Sequence, residues 1–204
     1  MKLAIFGGTF DPIHEEHLAI ARAAADRFHL DRVLFVPAFH PPHKHGVTHA
    51  PYEDRVRMAE LACAIDPRFE VSRLEEGTAR SYSIDTIGKV QSRLAPGDEL
   101  YFLIGADAFS EIRTWHRWPE VARGVRFLVV SRPGHQYGVP PEVSCDRIDQ
   151  VALPVSSSTI RRQLASGARP DGIPPAVLEY ASAHHLYTPQ NEDRELSDTP
   201  QNGD

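Results

Sequence analysis

The sequence predicts an α/β fold built on a doubly wound parallel sheet. Short apolar runs alternate along the chain with segments whose apolar residues recur at helical spacing. The apolar runs are continuous, which is typical of strands buried on both faces of a parallel sheet. The length of 204 residues, 41% of them hydrophobic, suits one generous domain with a sizeable core.

Each element of the N-terminal half follows from a simple pattern. Residues 2–6 (KLAIF) have the composition of a short buried strand, and the alanine-rich segment 15–28 has helical periodicity. The next strand, 32–37, stops at Pro37, and the segment 38–51 is predicted as a loop because it holds three prolines and four histidines. The elements predicted after this loop are a helix at 52–65, a strand at 69–73 and a serine-opened helix at 81–94.

The C-terminal half continues the alternation. The clearest apolar run is ELYFLIG (99–105), and further strands are predicted at 126–131 and, more weakly, at 147–153. A short helix at 158–167 ends at Gly167, a common residue after the last helical turn. The last helix, 175–186, begins with Pro175, where a helix needs no backbone donor. Together these elements predict a Rossmann-like sheet with helices on both faces.

The net charge of −6 lies mostly at the C-terminal end of the chain. Residues 189–204 contain five acidic side chains against one arginine and have no hydrophobic periodicity. We therefore predict one domain at 1–188 followed by a disordered acidic tail at 189–204. The balance argues against a general nucleic-acid binder, since such proteins carry a basic surface.

The two cysteines and the N-terminal segment indicate the cellular compartment. Cys63 and Cys145 are far apart in sequence and lack the spacing of metal ligands or of a disulfide framework. The first apolar run is too short for a signal peptide or a membrane span. These features predict a cytoplasmic protein that has no membrane partner, and they leave its oligomeric state open.

The loop after the first strand is the predicted binding site, because ligands of such sheets lie beyond the carboxyl ends of the strands. It reads GGTFDPIHEEH (7–17). Gly7 and Gly8 let backbone amides approach an anion, and Thr9 adds a hydroxyl donor. His14 and His17 lie three residues apart at the start of a helix, where donors and the helix dipole favour phosphate. Neither GxGxxG nor a Walker A loop is present.

Several motifs carry a resemblance to a known family. GGTFDPIHxxH resembles the phosphate-binding signature of the nucleotidyltransferase superfamily, (H/T)xGH. The bacterial nicotinate-nucleotide adenylyltransferases have segments similar to six further features, in the same order: PAFHPPHK (37–44), SYSIDT (81–86), FLIGADAF (102–109), Trp115, RPG (132–134) and VSSSTIR (155–161). The resemblance implies the nucleotidyltransferase fold and transfer of the adenylyl group of ATP to nicotinate mononucleotide, giving deamido-NAD and pyrophosphate.

The resemblance also implies which residues act. The catalytic set that neutralises charge on the phosphates is His14, His17, Lys44 and Arg161. The residues that it assigns to ATP are Gly7, Gly8, Thr9, Phe10, Ser156, Ser157 and Ser158. Those that it assigns to nicotinate mononucleotide are Ser83, Thr86, Gly105, Asp107, Trp115 and Arg132. Mg²⁺ is expected to arrive on the ATP phosphates, with no metal site of the protein's own, and the expected partners are these two small molecules alone.

One departure from the family pattern leaves alternatives open. The family has glycine before the second histidine, whereas this chain has Glu16, a carboxylate where phosphate should approach. The alternatives are a sister transferase that uses nicotinamide mononucleotide or another phosphorylated acceptor, and a nucleotide-binding module without turnover. A metal site at His40–His49 is disfavoured, because two prolines intervene and neither cysteine nor carboxylate lies close by. Asp11, before Pro12, is interpreted as a turn residue.

Overall fold

Six parallel strands form a single sheet in the computed structural model, which describes residues 1–41, 48–131, 134, 136–149 and 155–188. The strands are β1 Lys2–Gly8, β2 Arg32–Pro37, β3 Phe69–Val71, β4 Glu99–Gly105, β5 Arg126–Ser131 and β6 Cys145–Asp149. Their spatial order is β3-β2-β1-β4-β5-β6, and every neighbouring pair is parallel. The predicted doubly wound parallel sheet is confirmed.

Seven α-helices and one 3₁₀ turn lie between the strands or after the last strand, within the described residues. The α-helices are α1 Glu15–Phe28, α2 Tyr52–Cys63, α3 Ser83–Gln91, α4 Ala106–Ser110, α5 Trp118–Gly124, α6 Ser157–Ala165 and α7 Pro175–Ala183. The 3₁₀ turn covers Ile112–Thr114. Pro175 is the first residue of α7, and Gly167 follows α6 with a φ of +75°, as their positions in the sequence predicted.

Helices cover both faces of the sheet. Successive β1 residues point to opposite faces, so their neighbours identify the helices on each side. Ala4 and Phe6 pack in one buried cluster with side chains from α1, α2, α6 and α7. Leu3 and Ile5 pack in a second cluster with side chains from α3, α4 and α5. Burial on both sides explains why the strand sequences are continuously apolar.

The structure differs from the prediction in two regions. Residues 106–124 contain α4, the 3₁₀ turn and α5, none of which was predicted, because elements of five, three and seven residues show no reliable period. The last strand starts at Cys145 instead of at 147. Residues 150–154 and the proposed tail 189–204 lie outside the described residues. Among the described helices, none combines the length and apolarity that crossing a membrane requires.

The strand order places the binding site. The chain moves outward from β1 in one direction through β2 and β3, and in the other through β4, β5 and β6. Loops that leave β1 and β4 therefore diverge to opposite faces and leave a crevice at the carboxyl ends of these two strands. Ligands of open α/β sheets bind in such a crevice.

Candidate active site

The loop after β1 is shaped by contact between Gly8 and Phe10. Phe10 has a φ of +49° and packs its ring against Phe6 and Phe35, with ring centroids 5.7 Å away in each case. A Cβ on Gly8 would lie 2.9 Å from two carbons of the Phe10 ring, so any larger residue would require this ring to move. The side chain of Phe10 is buried in the core, where it supports the loop, and contact between Phe10 and ATP stays a prediction.

The two histidines of the motif lie together at the start of α1. The His14 amide donates to Nδ1 of His17 at 3.2 Å, and the two rings stack with centroids 3.7 Å apart. Because Nδ1 of His17 accepts this bond, the proton of its neutral ring is on Nε2, which makes Nε2 a donor. Phe10 lies edge-on to the His17 ring at 5.1 Å. The predicted pairing of His14 with His17 is confirmed.

His14 is the more deeply buried of the pair, with 5% of its surface exposed. Burial lowers the pKa of His14 to about 4, so the ring is neutral at pH 7. No atom of the described residues forms a hydrogen bond with its Nδ1, which is also buried. His14 therefore offers the site hydrogen-bonding capacity without a permanent positive charge.

Asp11 is a structural residue, as its position before Pro12 predicted. Its buried carboxylate accepts the amides of His49 at 2.7 Å and Ala50 at 3.1 Å, and the Tyr187 hydroxyl at 2.8 Å. Burial and the Asp11 carboxylate together hold the pKa of Tyr187 well above its usual range. The motif loop is thereby joined to residues 49–50 and to the end of the described chain.

A buried arginine, which the sequence analysis missed, completes this network. Arg55 in α2 is only 1% exposed, and its Nη1 donates to the Thr9 carbonyl at 2.7 Å. Its Nε donates to the Ala50 carbonyl at 3.2 Å. Burial lowers the pKa of the Arg55 guanidinium, and the charge of Asp11 opposes this effect. The signal was its helical spacing with Ala59 and Ala62, which places it on the buried face of α2.

The start of α6 reaches the same loop, as predicted for a phosphate site. Arg161 donates through Nη1 to the Asp11 carbonyl at 2.6 Å, and the Ser157 hydroxyl donates to the Pro12 carbonyl at 2.9 Å. Ser156 caps the helix by accepting the Thr159 amide at 3.2 Å, while Ser158 is exposed. Ser156 and Ser157 thus have structural bonds here. The predicted phosphate ligand Lys44 lies outside the described residues.

A cavity of about 530 Å³ opens at the carboxyl ends of β1 and β4. It brings together six predicted site residues, namely Gly7, Gly8, Thr9, Ser83, Gly105 and Trp115. The Trp115 ring is half-buried and meets Phe102 edge-on at 5.8 Å. A Cβ on Gly105 would meet nothing within 4 Å, and its φ is ordinary at −74°. Gly105 is therefore not needed by the fold, and it leaves cavity space open.

Two residues predicted for the acceptor do not line this cavity, and a third is not among the described residues. Thr86 is buried and does not line the cavity; its hydroxyl donates instead to Oε1 of Glu75 at 2.7 Å. Asp107 is exposed in the first turn of α4, next to Gly105 but outside the cavity lining. Arg132 lies outside the described residues. Glu75, which does line the cavity, was not predicted, and no pattern in the sequence marked it.

Two features raised alternatives to an adenylyltransferase site: Glu16, in place of the family's glycine, and the histidine-rich loop His40–His49. Glu16 is the second residue of α1, is half-buried and is not among the residues that line the cavity. In the histidine-rich loop, His43 and His45 lie outside the described residues. The residues that the structure describes contain no group of three or more His, Cys, Asp or Glu side chains arranged to hold a metal ion.

Comparisons with known proteins agree with this architecture. The cytidylyltransferase-like family matches residues 5–163. A Solibacter usitatus protein named probable nicotinate-nucleotide adenylyltransferase is 76% identical over 92% of this chain and all of its own length. A Thermus thermophilus protein with the same name is 43% identical over 92% of this chain and all of its own length.

A solved structure extends the likeness to the fold. It is the Plasmodium falciparum nicotinic acid mononucleotide adenylyltransferase complexed with NaAD, which aligns with a TM-score of 0.75 and 19% identity. The alignment covers 91% of this chain and 97% of that one. The α/β fold together with the family match over residues 5–163 defines a nucleotidyltransferase. With the sequence matches, the chain belongs to the cytidylyltransferase-like family and, within it, to the nicotinate-nucleotide adenylyltransferases.

Proposed function

We propose that this chain transfers the adenylyl group of ATP to nicotinate mononucleotide, releasing pyrophosphate and forming deamido-NAD. The observation that carries the proposal is the cavity at the carboxyl ends of β1 and β4. The residues that line this cavity include both the phosphate-type loop Gly7–Thr9 and the aromatic residue Trp115. A site of this kind suits two nucleotides joined through their phosphates. The names of the 76% and 43% identical relatives support the same activity.

The reaction needs little chemistry from side chains. The attacking atom is a phosphate oxygen of the acceptor, which is already ionised and requires no general base. It bonds to the α-phosphorus of ATP while the bond from that phosphorus to the bridging oxygen breaks, and pyrophosphate leaves. The protein must align the two phosphates and stabilise the charge that develops between them.

We assign the stabilising role to the start of α1 and to α6. His17 is the residue we place on the α-phosphate, since its Nδ1 accepts the His14 amide and its Nε2 is the donor. Neutral His14 adds hydrogen bonding beside it. Arg161 and Ser158 at α6, with Lys44, are proposed for the leaving pyrophosphate, where fixed cations favour the developing charge.

We propose that Mg²⁺ reaches the site on the triphosphate. The described residues offer it no cluster of three ligands, so phosphate oxygens and water would hold it. Its chemistry would be to neutralise phosphate charge. The acceptor ring is proposed to stack on Trp115, with Ser83 at the start of α3 near its carboxylate and Gly105 leaving room beside it.

We also propose that residues 1–188 form the whole catalytic domain. The Solibacter usitatus relative aligns over 187 residues, which is its entire length. A chain that ends at Thr188 is therefore expected to retain the full rate of pyrophosphate release. A large loss of rate on removing 189–204 would show that the acidic tail takes part.

Pyrophosphate release measured with ATP and a panel of acceptors tests the proposal. We expect the highest kcat/KM with nicotinate mononucleotide. A higher value with nicotinamide mononucleotide would identify a sister transferase, and ATP binding without release at any acceptor concentration would indicate a non-catalytic module. His17→Gln should lower kcat by about 100-fold, the usual effect of removing a donor to a developing oxyanion. His49→Gln, on an exposed side chain outside the cavity, is the matched control.

A further inference from the structure

Glu75 stands apart from the other residues of the cavity. It is the one Asp, Glu, Lys or Arg side chain among the described residues that line the space, where His116 is a further titratable neighbour. Its residue is 8% exposed. The Thr86 hydroxyl donates to its Oε1 at 2.7 Å, whereas Oε2 is buried and has no hydrogen-bond partner among the described residues. One oxygen of this carboxylate therefore accepts a hydrogen bond, and the other has no partner among the described residues.

The position of Glu75 is fixed from both ends. Its backbone carbonyl accepts the Thr78 amide at 3.1 Å and the Thr78 hydroxyl at 2.6 Å. Its side chain is fixed by Thr86, in the first part of α3. A buried carboxylate oxygen without a partner is costly in free energy, more so than a neutral polar atom. Because Glu75 lines the cavity, we take the partner of its unpaired Oε2 to be a group that arrives with a ligand.

We infer that Glu75 is a specificity-determining residue that recognises the positive charge of the acceptor's pyridinium ring. The inference rests on the proposed function, which places a pyridine mononucleotide in this cavity. Such a ring is flat and cationic, so it needs an aromatic face and a negative counter-charge. Trp115 supplies the face from the same cavity, and Glu75 supplies the charge. In a partly desolvated site a charge pair at contact distance is worth more than in water.

Two forms of one acceptor isolate the ring charge. Nicotinate mononucleotide and its 1,4-dihydro form share the phosphate, the ribose and the carboxylate, and only the first has a cationic ring. Any repulsion between Glu75 and the acceptor's carboxylate is therefore common to both. Their ratio of kcat/KM for pyrophosphate release, at saturating ATP, reports how strongly the site prefers the charged ring.

We expect Glu75→Gln to lower kcat/KM for the cationic acceptor about tenfold, equivalent to about 1.4 kcal/mol, and for the neutral form by less than about twofold. The KM for ATP should not change. Glu76→Gln is the matched control, because Glu76 is the next residue, exposed, and pairs with Arg73 at 3.2 Å. It should leave the ratio at the wild-type value.

Other outcomes overturn the inference. If Glu75→Gln lowers kcat/KM equally for both acceptors, the ratio is unchanged. Glu75 would then bind a ribose hydroxyl or only shape the cavity, and it would not recognise the charge of the ring. If Glu75→Gln fails to fold, Thr86→Val retains the charge but removes its anchor. The ratio should then fall severalfold, and an unchanged ratio refutes the inference.

The experiment separates this inference from the proposed function. If the wild-type protein releases no pyrophosphate with any acceptor, the proposed function fails. Calorimetric Kd values for the two acceptors, in the wild type and in Glu75→Gln, then decide the role of Glu75 by the same ratio. A wild-type preference for the cationic ring that the variant lacks supports the inference even without turnover, and equal ratios refute it.

Discussion

Replacing Arg55 with methionine tests whether the buried network holds the phosphate loop. Methionine keeps an unbranched apolar chain but removes the guanidinium, which is 1% exposed in the wild type. Two hydrogen bonds are lost, to Thr9 at 2.7 Å and to Ala50 at 3.2 Å. Bonds from a charged donor contribute about 1.5–3 kcal/mol each. Relief of the buried charge offsets part of this sum, since burial disfavours the guanidinium. We therefore expect a net destabilisation of about 3 kcal/mol.

The measurement is urea unfolding followed by circular dichroism, with the KM for ATP determined on the same samples. Arg57→Met is the matched control, because Arg57 lies on the same helix, is exposed and pairs with Glu60 at 3.0 Å. Loss of such a surface pair costs at most about 1 kcal/mol. Tyr187→Phe removes one bond to Asp11, at 2.8 Å, and should cost about 1 kcal/mol.

Activity should follow stability in this series. In Arg55→Met the Thr9 carbonyl loses its bond to the guanidinium, so the loop between Gly8 and His14 is held less firmly. The KM for ATP should therefore rise severalfold at temperatures where the protein stays folded. Equal unfolding free energies for Arg55→Met and Arg57→Met, together with an unchanged KM for ATP, would refute the reasoning. The loop would then be held by its other contacts alone.

Three further predictions concern single positions. Neutral His14, with a pKa of about 4 when folded against 6.5 unfolded, contributes stability that is complete above pH 6.5 and lost as the pH falls through 4. Unfolding free energies of the wild type should therefore fall by about 3 kcal/mol more than those of His14→Asn over this window, and parallel profiles would contradict this. Gly8→Ala should lower Tm by several degrees, because its Cβ meets the Phe10 ring at 2.9 Å; an unchanged Tm would show that the ring yields freely. Gly105→Ala should leave Tm unchanged or slightly higher and raise an acceptor's KM, and an unaltered KM would mean that the open space beside it is unused.

The predictable part of the fold is the part in which pattern and burial coincide. β4 was identified within its bounds because a parallel strand covered on both faces must be apolar throughout. α4 and α5 were missed because short helices bury only two residues each and have no repeating stripe. Their packing against the sheet, and not their own sequence, stabilises them.

For the site, a sequence motif predicts where ligands bind, but it does not distinguish residues that line the cavity from residues that support the loop. The sequence predicted that the loop after β1, the start of α6 and Trp115 belong to one site, and the structure brings the first two into contact. It did not distinguish Phe10, which supports the loop from the core, from Gly7, which lines the cavity. Arg55 and Glu75 are single charged residues whose importance follows from buried geometry, and a single sequence carries no pattern for that.

The bonds of Asp11 have a consequence for protein synthesis. Its carboxylate accepts a bond from the Tyr187 hydroxyl, 176 positions later in the chain, and its carbonyl accepts one from Arg161, 150 positions later. A nascent chain that has already made β1 and both histidines therefore has an unfinished site until almost the whole domain has emerged. Fragments that end before α7 contain the phosphate motif without the contacts that shape it.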